Sequence, residues 1–350
     1  MRLAIIGKPQ SGKTTIFNAV AGQHAAVGDF SKAVHRALVK VPDSRLDRLA
    51  QLAGPRKVTY ATIEFLDAPG LTGRGKECGA FEVSEDFRQA DAFLMVVDAF
   101  TPGSRPESDI GALVDEIILL DHVLIEGIIE KRERKTKLTG DKSGAKELDV
   151  LRRCLETLDQ EKPLLDCELS DEDTKHLRAY QFLSQKPMLI VLNLAENALA
   201  ESDSVVAQYS SIMSTGKRDV IAVCGKIEAE LVGLEADERK QFMAELGIAT
   251  PATEQVIQRA YRLLGLISFL TVGDPEARAW SIPRGTPAQK AAGAIHTDFE
   301  RGFIRAEVVA FEDYDRYETL PAIKAAGKQR LEGKEYVVQD GDVILFRFNI

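Results

Sequence analysis

Eight residues near the amino terminus, Gly7-Lys8-Pro9-Gln10-Ser11-Gly12-Lys13-Thr14, constrain this chain more than any other feature. They match GxxxxGK[ST] in full, between the apolar run Arg2–Ile6 and the helical pattern Gly12–Ala21. Glycines let the backbone wrap closely round a phosphate, and the amides of Ser11 to Thr14 converge at a helix N-terminus. Lys13 is expected to neutralise the β- and γ-phosphates, and the Thr14 hydroxyl is placed to ligate Mg²⁺. Pro9, Gln10, Ser11, Gly12 and Thr15 complete the expected nucleotide-binding residues of this loop. A strand–glycine loop–helix start commits the chain to an α/β fold.

The same rhythm continues through the first two-thirds. Ala61–Leu66, Ala92–Val97, Met188–Leu192 and Val220–Val223 read as buried strands, and Pro42–Leu52 reads as a helix. Such alternation predicts a mostly parallel sheet covered on both faces. With 350 residues, 45% apolar and 28% charged, the chain has enough apolar side chains for two or three cored domains. It holds no run of eighteen apolar residues, so no membrane-spanning helix is expected. The opening MRLAII is too short for a signal peptide and leads directly into the glycine loop. A net charge of −9 should repel nucleic acid everywhere except at a local basic patch.

The rhythm breaks from about Gly111 to Gln185. Leu113, Ile117, Leu120, Leu124 and Ile128 recur at helical steps, and Leu148, Leu151, Leu155 and Leu158 repeat the pattern after Gly140 and Gly144. Two long helices forming an antiparallel hairpin fit this spacing, inserted into the α/β domain. Between them, Lys131–Lys146 carries seven basic residues against two acids. That stretch reads either as a solvated tip or as a finger for RNA phosphates. Strand-like pieces at Ile267–Val272, Ala277–Ile282, Ile304–Ala310, Tyr336–Val338 and Val343–Phe348 surround one helix beginning near Thr286. They predict a small α+β domain, with Thr286 as helix cap and Pro287 at the first helical position. The expected division is therefore 1–265, interrupted at about 113–185, and 266–350.

Two further segments complete a nucleotide site. The strand Ile63–Leu66 ends in Asp67-Ala68-Pro69-Gly70, where a carboxylate can hold Mg²⁺ and the Gly70 amide can sense a γ-phosphate. A second strand ends in Asn193-Leu194-Ala195-Glu196, where GTPases commonly carry NKxD. Leu194 replaces the lysine that covers the base, and Glu196 replaces the aspartate that reads guanine. Donors on guanine should be poorly met by this pair, which makes adenine plausible. Asn193 is then scaffold, or simply the cap of the next turn. The four cysteines, Cys78, Cys154, Cys167 and Cys224, stand apart without metal-ligand spacing and read as reduced thiols.

These motifs, with Val223-Cys224-Gly225-Lys226-Ile227-Glu228-Ala229-Glu230-Leu231 and the long C-terminal run Ile295–Glu307, resemble the YchF/Obg-like ATPase family of TRAFAC P-loop proteins. The resemblance covers nearly the whole chain and includes Val338-Gln339-Asp340-Gly341-Asp342-Val343. It implies an α/β P-loop NTPase G domain with an inserted antiparallel coiled-coil arm, followed by a β-grasp, TGS-like α+β domain. It also implies slow ATP hydrolysis, with GTP as an alternative substrate, and association with ribosomes. Asn193 and Glu196 would lie at the base, with Cys224, Gly225 and Lys226 forming the base-side loop. Phe100 would pack on the base or serve as an ordinary core aromatic.

The switch segments depart from the family pattern. Before Val41-Pro42-Asp43-Ser44-Arg45-Leu46-Asp47, only Ser31 stands where a switch threonine would meet Mg²⁺. Leu71 occupies the place of a water-orienting glutamine, so intrinsic turnover should be slow. His35 and Arg74 are candidates for the missing element. The expected protein is a cytoplasmic, monomeric, Mg²⁺-dependent triphosphatase acting as a switch. It would reach ribosome or RNA through residues 131–146 and the TGS-like domain. Arg301, Arg305 and Lys334 would contribute there or act as solvated strand-edge charges. The competing reading is a nucleotide-gated binding module with negligible hydrolysis. His296 reads as a structural hydrogen-bonding residue.

Overall fold

The computed structural model describes residues 1–22, 35–67, 84–139, 144–209, 211 and 216–349. Its strands in chain order are β1 (Arg2–Ile6), β2 (His35–Lys40), β3 (Val58–Thr59), β4 (Thr62–Asp67), β5 (Ala92–Ala99) and β6 (Met188–Leu194). They continue with β7 (Arg218–Val223), β8 (Leu266–Val272), β9 (Ala277–Pro283), β10 (Phe303–Val309), β11 (Arg330–Glu332) and β12 (Val343–Phe348). Among the described residues these form two sheets, ordered β2-β4-β1-β5-β6-β7 and β11-β10-β12-β8-β9-β3. Contacts divide the chain into two compact units, Met1–Ala37 with Glu64–Val256, and Leu38–Ile63 with Ile257–Ile350.

In the first unit, β4, β1, β5, β6 and β7 are neighbours in parallel. Leu3 to Ile6, Phe93 to Val96 and Leu189 to Leu192 are buried, as a sheet covered on both faces requires. Parallel pairing has a functional consequence. It brings the carboxyl ends of all these strands to one edge, where α/β sheets bind ligands. Ile5 pairs with Asp67 in register, Asp98 with Asn193, and Asn193 with Val223. Segments far apart in sequence therefore open onto a common edge.

The predicted hairpin is present as the helices Pro106–Thr139 and Ala145–Asp159. Its ion pairs run in opposite senses along the two helices, His122 with Asp159, Glu133 with Arg152 and Arg132 with Glu147, so the helices are antiparallel. Ile118, Ile125, Val150, Leu151 and Leu158 form its buried seam. The helices reach Thr139 and restart at Ala145, so most of the basic stretch is helical; residues 140–143 lie outside the described residues. The root is fixed by Asp121, fully buried on the first helix. Its carboxylate accepts from the Leu183 amide at 2.9 Å and from the Ser184 amide and hydroxyl at 2.6 Å each.

The second unit includes more than its C-terminal sequence. Leu38–Ile63 groups with Ile257–Ile350, whereas the sequence suggested a first domain of 1–265, interrupted at about 113–185, and a second of 266–350. The reason is β3, which adds to β9 in parallel, together with Arg45 on Asp340 and Arg48 on Asp315. The core collects Phe269, Ile344, Phe346, Ala288, Ala291 and Ala292. Three sequence expectations are corrected here. Tyr336–Val338 forms no strand beyond a single bridge from Val337 to Pro287. The unit carries Thr297–Arg301, Phe311–Tyr317 and Leu320–Ala325 as further helices beside Ala288–Ile295. Pro287 occupies the cap position rather than the first turn. The Thr286 hydroxyl closes the preceding turn by donating to the Pro283 carbonyl at 2.6 Å, while the Ala288 amide donates to Tyr336 at 2.7 Å. His296 is structural as expected, its Nδ1 accepting from the Asp298 amide at 3.2 Å.

Candidate nucleotide-binding site

The glycine loop joins β1 to the helix Lys13–Ala21. Gly7 has φ 154°, and a Cβ there would stand 2.3 Å from the Val96 carbonyl oxygen. Gly12 has φ 92°, and a Cβ there would stand 2.2 Å from Asn193 Nδ2. Both positions exclude any side chain, by backbone conformation and by space. Lys13 Nζ donates to the carbonyls of Gly7 and Lys8, each at 2.8 Å, so the ammonium lies across the mouth of its own loop. Burial lowers its pKa from the usual lysine value, opposed by the charge of Asp67. Ser11 is buried, and its hydroxyl has no hydrogen-bond partner in the structure. Pro9 and Gln10 are exposed at the loop's crest, while Thr15 is half-buried as the third residue of the helix.

Thr14 and Asp67 meet as the motifs imply. The Thr14 hydroxyl donates to Asp67 Oδ2 at 3.2 Å. Burial raises the Asp67 pKa, while Thr14, Lys13 and His35 act in the other direction. Two hard oxygen donors on neighbouring segments fit Mg²⁺, which takes one or two protein ligands and completes its shell with phosphate oxygens and water. Among the described residues no cluster of three or more His, Cys, Asp or Glu has metal-binding spacing, so a fully protein-made cage is not offered. His35 begins β2, close enough for its charge to act on Asp67, with its ring 6.5 Å from that of Phe17. Ser31, Gly70, Leu71 and Arg74 lie outside the described residues.

At the other end of the site, Asn193 is not a cap for its own turn. Its Nδ2 donates to the Ser11 carbonyl at 3.1 Å, and its Oδ1 accepts from the Gly225 amide at 3.0 Å. The side chain is buried and joins the phosphate loop to the β7–helix turn. The Gly225 amide is thereby committed to Asn193. Gly225 is itself confined, since a Cβ would meet Asn193 Oδ1 at 3.0 Å and Ile16 at 3.1 Å. Cys224 is buried beneath this turn, and burial raises its thiol pKa. Glu196 is exposed and ion-paired to Lys226, whose pKa the Glu196 carboxylate raises. Leu194 is in the core and covers nothing outside it. Phe100 is 39% exposed, in a turn fixed by Asp98 accepting from the Phe100 and Thr101 amides at 3.0 Å each.

One contact had no sequence signal. Lys8, an unassigned position of the GxxxxGK[ST] loop, pairs with Asp109 at 2.5 Å. Asp109 lies in the first turn of the arm helix Pro106–Thr139. The Glu196–Lys226 pair likewise has no local signature, since its residues stand thirty positions apart.

Comparison with known proteins agrees with this geometry. Residues 2–125 match a family model described as 50S ribosome-binding GTPase. Residues 266–349 match the YchF-GTPase_C model, described as a protein of unknown function. The ribosome-binding ATPase YchF of Bacillus subtilis is 39% identical over 362 residues, covering 99% of this chain and 98% of that protein. That of Escherichia coli O157:H7 is 37% identical, covering 100% and 99%. The solved Schizosaccharomyces pombe YchF GTPase superposes with a TM-score of 0.80 at 25% identity, covering 99% of this chain and 97% of the other. A glycine loop, an Asp67-type strand end and an Asn193–Glu196 segment on one sheet edge, continued by such full-length similarity, place this chain in the YchF family of P-loop proteins.

Proposed function

We propose that this chain binds and slowly hydrolyses ATP, with Mg²⁺ as cofactor, as a molecular switch that associates with the ribosome. The observation that carries the reading is the convergence of Lys13, Thr14 and Asp67 at the carboxyl edge of a parallel sheet. Lys13 leaves its two loop carbonyls to neutralise the β- and γ-phosphates. Amides from Ser11 to Thr14 hold the phosphate oxygens at the helix start. Thr14 and Asp67 would hold Mg²⁺, which when bound neutralises developing phosphate charge. Gly70 and Ser31 belong to the proposed set from sequence alone. The names of the relatives support both the ATPase activity and the ribosome as partner.

The base end supports ATP over GTP. Glu196 is engaged by Lys226 rather than free to accept two donors from guanine, and no lysine follows Asn193 to cover the ring. Asn193 acts as scaffold for Ser11 and Gly225. His35, beside Asp67, is a candidate electrostatic partner of the reacting phosphate. Residues 131–146 and the TGS-like C-terminal unit are the proposed ribosome contacts, and the protein is proposed to act as a cytoplasmic monomer.

Calorimetric titration of nucleotide-free protein with Mg-ATP and Mg-GTP, followed by single-turnover phosphate release, tests the proposal. ATP binding at least about tenfold tighter, 1.4 kcal/mol, with slow release of phosphate is expected. Equal or tighter GTP would make it a GTPase. Tight ATP with no phosphate released would leave a nucleotide-gated binding protein. Cosedimentation with ribosomes before and after deletion of residues 131–146 tests the partner, and unchanged binding would exclude the basic stretch.

A further inference from the structure

The phosphate loop carries a second lysine. Lys8 stands five positions before Lys13, where the GxxxxGK[ST] pattern sets no requirement. Its backbone is fixed on both sides. Gly7 is confined by the Val96 carbonyl, and Pro9 disfavours helical backbone at Lys8. The Lys8 carbonyl accepts from Lys13 Nζ at 2.8 Å and from the Ser11 amide at 3.3 Å. The first of these bonds bounds the reach required of the Lys8 side chain. It puts the Lys13 ammonium within about 5 Å of Lys8 Cα, and an extended lysine stem spans about 6 Å. The Lys8 ammonium is therefore long enough to stand beside that of Lys13 by side-chain rotation alone, with the loop unmoved.

In the structure the Lys8 ammonium is on Asp109 Oδ1, at 2.5 Å. Both side chains are partly exposed, and an ion pair of that kind contributes little to stability. Asp109 does not depend on it. With Glu107 it lies in the first turn of the arm helix Pro106–Thr139, where the helix dipole favours a carboxylate. Lys8 is thus held by a partner that loses little on releasing it. A triphosphate is a stronger partner, because its oxygens carry more charge and make charge-assisted hydrogen bonds.

We infer that Lys8 is a second phosphate-binding lysine, which exchanges the Asp109 carboxylate for a γ-phosphate oxygen when a nucleoside triphosphate enters the loop. The inference rests on the nucleotide site proposed above and assigns it a residue specific to the third phosphate. Amides from Ser11 to Thr14 claim the inner phosphates at the helix start, and Lys8 stands on the opposite limb of the loop, so the outermost phosphate is the one it meets. Lys8 stays protonated throughout and passes no proton. The first turn of the arm and the γ-phosphate then compete for one ammonium: a triphosphate frees Asp109, and a diphosphate leaves it paired. By linkage, whatever draws Asp109 away from Lys8 tightens the triphosphate by the same factor.

The test is titration calorimetry of the full-length protein with Mg-ATP against Mg-ADP, and with Mg-GTP against Mg-GDP. Lys8→Ala should weaken the triphosphates about tenfold and leave the diphosphates unchanged. Asp109→Asn removes the competitor and should tighten the triphosphates about threefold, again without moving the diphosphates. In the Lys8→Ala background Asp109→Asn should have no effect. Equal weakening of di- and triphosphates by Lys8→Ala would make Lys8 a support of the loop only and overturn the inference, as would no change in either. An Asp109→Asn effect that is absent, or that persists without Lys8, overturns the exchange. Wild-type protein that binds none of the four nucleotides would overturn the nucleotide site itself, and the role of Lys8 with it.

Discussion

The two ends of the proposed nucleotide site are built by different means. The phosphate end is backbone: glycines at 7 and 12 with conformations only they tolerate, and a lysine resting on loop carbonyls. The base end is side chains: Asn193 spanning two loops and Glu196 held by Lys226. A backbone device is specified by a contiguous motif and has few workable variants. A side-chain device is assembled from segments brought together by the sheet, and each part can change separately. In the proposed site the phosphate end is therefore rigidly specified, and the base end is the adjustable half.

Substitutions can sharpen or break that contrast. Lys13→Ala should have the largest effect, weakening ATP and GTP alike by a hundredfold or more, about 3 kcal/mol for a charge-assisted contact. Titration calorimetry would check it, and a change in the ATP-to-GTP ratio would mean that Lys13 also senses the base. Asn193→Ala comes next, because it strands the Ser11 carbonyl and the Gly225 amide. Urea unfolding should show a loss of about 2 kcal/mol, and both nucleotides should bind more weakly. An effect on GTP alone would place Asn193 at the base instead of between the loops. Glu196→Asp should shift the ATP-to-GTP ratio toward GTP by a few-fold, about 1 kcal/mol, with phosphate-end affinity preserved. No shift would mean that the Glu196–Lys226 pair faces away from the ring.

The smallest expected effect is that of pH. Lys13 gives up its proton below the usual lysine value because it is buried, while Glu196 holds Lys226 above that value. Raising the pH from neutral toward about 10 should weaken both nucleotides in parallel, with proton uptake on binding, and leave their ratio constant. A ratio that drifts with pH would show that the base end titrates first.

What could be read from sequence follows the same division. Gly7–Thr14, Asp67 and Asn193–Glu196 were legible because each is a short motif at a strand end, and the strands themselves are continuous apolar runs. The arm was legible because leucine and isoleucine repeat at helical steps over Leu113–Ile128 and again over Leu148–Leu158. Its true extent was not, since Lys131 to Lys137 look like a loop by charge but are helical and partly paired, Arg132 with Glu147. Pairings across the fold left no local trace. Arg45 with Asp340 joins residues 295 positions apart, and Lys8 with Asp109 joins residues 101 apart. Thr286 misled for a different reason: a hydroxyl near a helix start can close the preceding turn as readily as cap the helix.

The pair between Lys8 and Asp109 sits at the fulcrum of a long lever. The arm's first helix runs 34 residues from Pro106, about 50 Å at 1.5 Å per residue. A rotation of about 5° at Asp109 sweeps the far end through roughly 4 Å, about the width of a side chain. A phosphate loop that shifts Lys8 by a fraction of that distance would have its movement magnified at the basic end of the arm.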